Sequence, residues 1–291
     1  MNPPVRAALD RVPARFHRMV PSALRADLRD RTGMTAPGDL AYVPVPPKAA
    51  AGEETGPPDF AILGAPDAGC RWWMSLITDH PDVAPGHGSA DVARFFAPYC
   101  TAPFDTEAIA GFHACFPRRP NRIIGFWSPD SLDLPWAPRL LADAAPEARI
   151  LLLVRDPIER LLDGLDRTAD DRAPHPGSYL GDAVDRGFYA MQLERLLLAY
   201  PAGQVCVLQY ERCRADPVGS LARTFAHLGV DPSYRARPLE PSVHGSGPAR
   251  DRLDARTLER LQGMYSADVA ALVALVPDLD LSLWPNFTPR T

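Results

Sequence analysis

Residues 60–85 read FAILGAPDAGCRWWMSLITDHPDVAP. An apolar run, Phe60-Ala61-Ile62-Leu63, enters a turn of small residues, and a helical pattern leaves it through Trp72, Trp73, Leu76 and Ile77. A strand, a small-residue turn and a helix N-terminus gather backbone amides around one point, the arrangement that cradles an anion. Gly64 and Gly69 keep the turn permissive where backbone must approach a ligand. Asp67, however, puts a carboxylate at its centre. That carboxylate stands beside Trp72 and Trp73, with Trp127 expected on a neighbouring loop. Aromatic walls would desolvate it and raise its pKa, making it a candidate general acid, and their faces would stabilise a cation. Such a site suits proton-started isomerisation, elimination or cyclisation of an apolar substrate. Successive helix residues point about 100° apart, so one or both tryptophans could instead pack in the core. A second anion-binding chemistry lies in RDPIER, Arg155 to Arg160, because a planar guanidinium pairs two phosphate oxygens. Arg155 and Arg160 could equally pair with Asp156 and Glu159.

Apolar runs at Phe60–Leu63, Asn121–Gly125, Arg149–Val154 and Gln204–Gln209 are expected to form strands that position these groups. Helical patterns occupy about Arg71–Asp79, Ala137–Ala144, Ile158–Arg167, Val184–Tyr200, Pro217–Leu228 and Ala255–Val276. Ile150-Leu151-Leu152-Leu153-Val154 is continuously apolar, as a strand covered on both faces must be. The alternation implies an α/β fold, a three-layer parallel sheet flanked by helices. Ligands of such sheets sit beyond the carboxyl ends of the strands, which here lead into GAPDAGCR, GFWSPDS and RDPIER.

Four blocks in order give the chain a resemblance to the sulfotransferases that use 3′-phosphoadenosine 5′-phosphosulfate (PAPS), and most to their bacterial and heparan-sulfate-type branch. GAPDAGCRWWMSLITDHPDVAP resembles the 5′-phosphosulfate loop, and LLLVRDPIERLLDGLDR resembles the strand and loop that bind the 3′-phosphate. RGFYAMQLERLLLAYPAGQVCVLQYERCRADPVGSLARTFAHLGVDP is similar to the helix, strand and "Tyr-Glu" corner that follow. GSGPARDRLDARTLERLQGMYSADVAALVALVPDLDLSLWP is similar to the C-terminal lid and helices. The resemblance covers Phe60 to about Pro285 and implies a fold related to P-loop nucleoside triphosphate hydrolases. It also implies transfer of a sulfuryl group from PAPS to a hydroxyl or amine of a small molecule, with PAPS or adenosine 3′,5′-bisphosphate as the bound nucleotide.

By that resemblance Gly64, Ala65, Pro66, Gly69, Cys70 and Arg71 surround the 5′-phosphosulfate. Arg155 meets the 3′-phosphate with Asp163 at the position of a family serine, Arg160 matches a second arginine, and Gly245, Arg250 and Arg252 belong to the lid. Five chemical positions depart from the family. Asp67 replaces the lysine at the leaving phosphate, and Cys70 and Arg71 replace two hydroxyl residues. Asp163 replaces the serine. DVAR before Phe95-Phe96 puts Val92 where the catalytic glutamate stands, so Asp91 or His87 would take the acceptor's proton and Arg71 would stand in for the lysine. Trp72, Trp73, Phe95, Phe96 and Trp127 are the expected cleft walls. Two further readings stand beside this one: the PAPS-independent acid chemistry of Asp67, and a binding protein without catalysis.

A chain of 291 residues, 46% hydrophobic, is long enough for one large domain. Residues 1–46 read as a helical extension broken by Pro13 and Pro21, 47–58 as a linker, and 59–291 as the sulfotransferase-like domain. The net charge of −5 argues against a general nucleic-acid binder and leaves room for local basic clusters. The five cysteines lack paired metal-ligand spacing, and neither a metal nor a disulfide is expected. No run is long enough to cross a membrane, and a cytoplasmic location is expected. No feature fixes an oligomeric state.

Overall fold

The computed structural model describes residues 53–84, 95–100, 102–170, 183–239 and 253–288. The N-terminal extension lies outside them, as do His87, Asp91, Gly245, Arg250 and Arg252.

Five strands form one sheet in the order β2-β3-β1-β4-β5: β1 Phe60–Ile62, β2 Val83–Ala84, β3 Ile123–Trp127, β4 Arg149–Val154 and β5 Val205–Gln209. Every pairing is parallel. Eight α-helices are described around them: α1 Cys70–Ile77, α2 Thr106–His113, α3 Ala137–Ala144, α4 Pro157–Asp170, α5 Tyr189–Ala199, α6 Tyr210–Ala215, α7 Pro217–Leu228 and α8 Ala255–Leu275. β1 is wholly buried, and β4 is buried apart from Arg149, as expected for strands flanked by helices on both faces. α1 packs on α7, where the Trp73 indole N–H donates to Thr224 Oγ1 at 3.1 Å. α5 lies against α3 and α8, and α8 also meets α4. None of the described helices is long and apolar enough to cross a membrane.

Gly125 explains how β1 and β3 come together. A Cβ there would stand 2.5 Å from both the Phe60 carbonyl oxygen and its ring, so only hydrogen lets the Phe60 ring lie across β3. The expected strand Asn121–Gly125 falls two residues downstream, at Ile123–Trp127, because Asn121 adopts a left-handed φ of 56° and belongs to the preceding turn. The expected linker ends in ordered contact: Arg118 N–H donates to Glu54 O at 2.8 Å, and Gly56 N–H to Phe116 O at 3.3 Å.

The strand order reverses between β1 and β4, since the chain runs to one side of β1 for β2 and β3, then to its other side for β4 and β5, and ligands of such sheets bind in the crevice at the carboxyl ends there. The loop after β1 remains pinned along β4. Leu63 N–H donates to Leu151 O at 3.0 Å, Leu153 N–H to Gly64 O at 2.8 Å and Ala65 N–H to Leu153 O at 2.6 Å.

Candidate functional site

The loop at residues 64–69 holds its shape through its own backbone. Gly64, Asp67 and Gly69 all have positive φ, at 150°, 64° and 87°. A Cβ on Gly69 would meet the Tyr210 ring at 2.8 Å, so this position needs glycine for packing as well as for conformation. Aspartate is one of the few side chains that tolerates the left-handed region, which gives Asp67 a conformational reason to stand at this turn. Its carboxylate reaches towards α4: Oδ2 lies 2.6 Å from where a Cβ on Gly164 would stand.

Cys70 opens α1 with its thiol turned inward, donating to the carbonyls of Gly64 at 3.1 Å and Ala65 at 3.3 Å. The thiol thus braces the loop from behind, where the resemblance expected a donor to the ligand. Gly69, the N-cap of α1, supplies no side-chain cap to the helix amides.

Across the crevice, Arg155 follows β4 and is almost wholly buried, at 4% exposure. Its Nη1 donates to Asp67 O at 3.2 Å and to Asp163 Oδ2 in a close ion pair. The guanidinium carbon lies 4.9 Å above the Tyr210 ring, a cation–π contact. Asp163 is buried too, so the arginine expected to meet a 3′-phosphate already holds an internal anion. Asp163, Gly164 and Asp67 bring two carboxylates to the same turn of α4 beside Arg155.

Arg160 takes another place. It is fully buried, and its Nη2 donates to Ala183 O, which makes it part of the packing between α4 and the segment before α5. Its pairing with Glu159, open in the sequence, gives way to this backbone contact. Arg71 projects from the first turn of α1 and is exposed.

The aromatic cleft expected from the sequence is not formed by its named walls. Trp72 and Trp73 are 4% and 0% exposed, and their rings meet edge to face at 5.1 Å. The Trp72 N–H donates to Leu239 O at 2.7 Å. Phe95 and Phe96 are buried in an aromatic cluster with Phe112, and Trp127 ends β3 half-buried. Two adjacent helical indoles find separate interior partners because each needs a buried acceptor for its N–H. The Trp72 ring stays beside the loop, edge to face with Tyr210 at 6.0 Å and within reach of Gly69, whereas Trp73 turns to Thr224.

Tyr210 and Glu211 emerge as site residues that the sequence showed only as a corner after the fifth strand. Tyr210 is 2% exposed, and its hydroxyl has no hydrogen-bond partner among the described residues. Burial raises its pKa, while Arg155 and Arg214 pull it the other way. Glu211 Oε1 accepts the Asp156 N–H at 2.9 Å, which ties the residue after Arg155 to the residue after Tyr210. Its other oxygen accepts the Trp284 indole N–H at 2.9 Å. Asp156 caps α4 by accepting from Ile158 and Glu159 N–H, and also accepts from the backbone and side chain of Asn286 at 3.0 Å each. Burial pushes the Glu211 carboxyl up to about 7 and raises that of Asp156. Among the described residues no group of three or more His, Cys, Asp or Glu is arranged to hold a metal ion.

Residues 128–234, which include Arg155, Asp163 and Tyr210, match a family model described as "Sulfotransferase family". The 64–69 loop lies outside that match. Mouse heparan sulfate glucosamine 3-O-sulfotransferase 3B1 is 25% identical over 189 residues, 60% of this chain but 46% of the relative, so the chain matches about half that protein's length. Mouse heparan sulfate glucosamine 3-O-sulfotransferase 6 is 24% identical over 243 residues, 72% of this chain and 68% of the relative. A sulfotransferase from Alicyclobacillus acidocaldarius superposes with a TM-score of 0.58 at 23% identity, over 78% of this chain and 98% of that one, and shares the fold. The parallel sheet and the arginine at the end of its fourth strand thus belong to a chain with the sulfotransferase fold, whose residues 128–234 match the sulfotransferase family model.

Proposed function

We propose that the protein is a sulfotransferase that moves a sulfuryl group from a nucleotide phosphosulfate to a hydroxyl or amine of a small molecule, through a rebuilt anion site. The observation that carries this reading is Arg155, held by β4 at the crevice and aimed at the 64–69 loop. A bound nucleotide phosphosulfate would supply the sulfuryl group, with the nucleotide 5′-phosphate as leaving group and the proton of the acceptor's O–H or N–H released to a base or to solvent.

The fit to PAPS itself is incomplete. At the nucleoside end Gly69 lets the Tyr210 ring close on the loop, and Arg155 stacks on that ring. The phosphate positions do not agree, because Asp163 occupies Arg155 and Asp67 stands where the family has a cation. The chain's own residues fix the site: the loop is locked to β4, Cys70 holds its carbonyls from behind, and the buried Arg155–Asp163 pair stands beside it. In a low-dielectric site such preorganised charge acts without rearrangement.

The test offers 35S-labelled PAPS and adenosine 5′-phosphosulfate with a panel of small hydroxyl and amine acceptors. Label is expected to pass to an acceptor, and Arg155→Ala is expected to slow transfer by about a hundredfold. Transfer from neither donor, or transfer unaffected by loss of Arg155, contradicts the reading.

A further inference from the structure

We propose that the cleft selects a nucleotide bearing a free 3′-hydroxyl over one bearing a 3′-phosphate, with Asp163 as the specificity-determining residue. This rests on the reading that Arg155 meets the ribose end of a bound nucleotide. The buried ion pair between Arg155 and Asp163 is its first support. A guanidinium left alone in a buried crevice demands an anion from the ligand; one already paired does not. A phosphate entering here, carrying nearly two charges, would stand against the Asp163 carboxylate. The Asp67 carboxylate over Gly164, one residue on, strengthens the same repulsion.

A hydroxyl meets the opposite situation. An ionised carboxylate accepts from several donors at once, so pairing with Arg155 is compatible with accepting a ribose O–H. The same discrimination operates in dinucleotide-binding folds, where an acid takes a ribose hydroxyl and an arginine takes a phosphate. The Tyr210 hydroxyl is an independent observation. It is buried, lies on the ring beneath Arg155 and has no partner among the described residues, and it can both donate to and accept from a sugar hydroxyl.

Calorimetric titration of the full chain with adenosine 5′-monophosphate and adenosine 3′,5′-bisphosphate tests this. The wild type is expected to bind the monophosphate at least tenfold more tightly. Asp163→Ser is expected to shift the ratio of the two affinities at least tenfold towards the bisphosphate, because its 3′-phosphate then supplies the anion that Arg155 has lost. Asp163→Asn keeps the shape without the charge, and covers the case in which the serine variant folds poorly; it is expected to shift the ratio in the same direction. Wild-type preference for the bisphosphate, or an unchanged ratio in the variants, overturns the inference while leaving nucleotide binding intact. Binding of neither nucleotide by any of the proteins overturns both this inference and the nucleotide reading.

Discussion

Asp67 and Arg155 set the electrostatics of the crevice, and a charge change at either is expected to be read directly in anion affinity. A unit charge pair about 4 Å apart is worth on the order of 4 kcal/mol at an effective dielectric near 20. After solvent screening, Asp67→Lys is expected to tighten adenosine 5′-monophosphate binding by about tenfold or more. It is also expected to lower stability by about 1 kcal/mol, because lysine at a φ of 64° is strained where aspartate is tolerated. Titration and urea unfolding check the two halves separately, and weaker binding would contradict the charge argument. The amino-acid order alone showed the loop and Arg155, because small residues after a buried strand and an arginine after another leave few alternatives. The resemblance put Arg155 and Asp163 around one phosphate, but not that the two pair directly, a contact made by the turn from the strand end into α4. Cys70 also reads as a ligand contact until its thiol is seen to face the loop carbonyls. Trp72 and Trp73 read as cleft walls because sequence carries no signal of the distant acceptors, Leu239 O and the buried Thr224 Oγ1, that their N–H groups find.

The elements that place Arg155 and Tyr210 are locked by the C-terminal segment. Asn286 gives two donors to Asp156, and its side chain also reaches Glu159 Oε1 at 3.1 Å. Removing a side chain that satisfies buried carboxylates costs about 1–3 kcal/mol per acceptor left unpaired. Asn286→Ala removes two of these contacts while Asp156 keeps its backbone donors, and is therefore expected to destabilise the fold by about 1–2 kcal/mol in urea unfolding; a loss under about 0.3 kcal/mol would contradict the clamp. Gly125→Ala tests the other edge of β1, where the added methyl meets Phe60. Overpacking of this kind costs about 1–3 kcal/mol or more, read as a lower melting temperature. Legibility followed the strength of the local signal. β4, α3 and α7 fall where the apolar run, the proline near a helix start and the terminal Gly229 put them. β2 has two residues, α6 six, and α2 rests on Asp105 capping Glu107 and Ala108 rather than on a long apolar stripe. Elements so short carry too little periodicity to be read.

Over the whole molecule, the buried acids make stability depend on pH in a direction opposite to that of a salt-bridged carboxylate. Burial raises the folded pKa of Glu211 from 4.5 to about 7, so the native state holds its proton where the unfolded chain has released it. The stabilisation is complete below pH 4.5 and is lost as pH rises towards 7, amounting to about 3 kcal/mol at most. Asp156, also raised by burial, acts in the same direction. The melting temperature is expected to fall between pH 5 and pH 8, about the window set by this shift, and Glu211→Gln to flatten that slope. A wild-type melting temperature that rises across this range would contradict the burial argument. The most direct measurement of the central claim is a crystal soak with adenosine 5′-monophosphate. The nucleotide is expected in the crevice between the 64–69 loop and Arg155, its ribose hydroxyls at Asp163 and Tyr210. Nucleotide bound elsewhere, or a crevice left empty at saturating concentration, would contradict it.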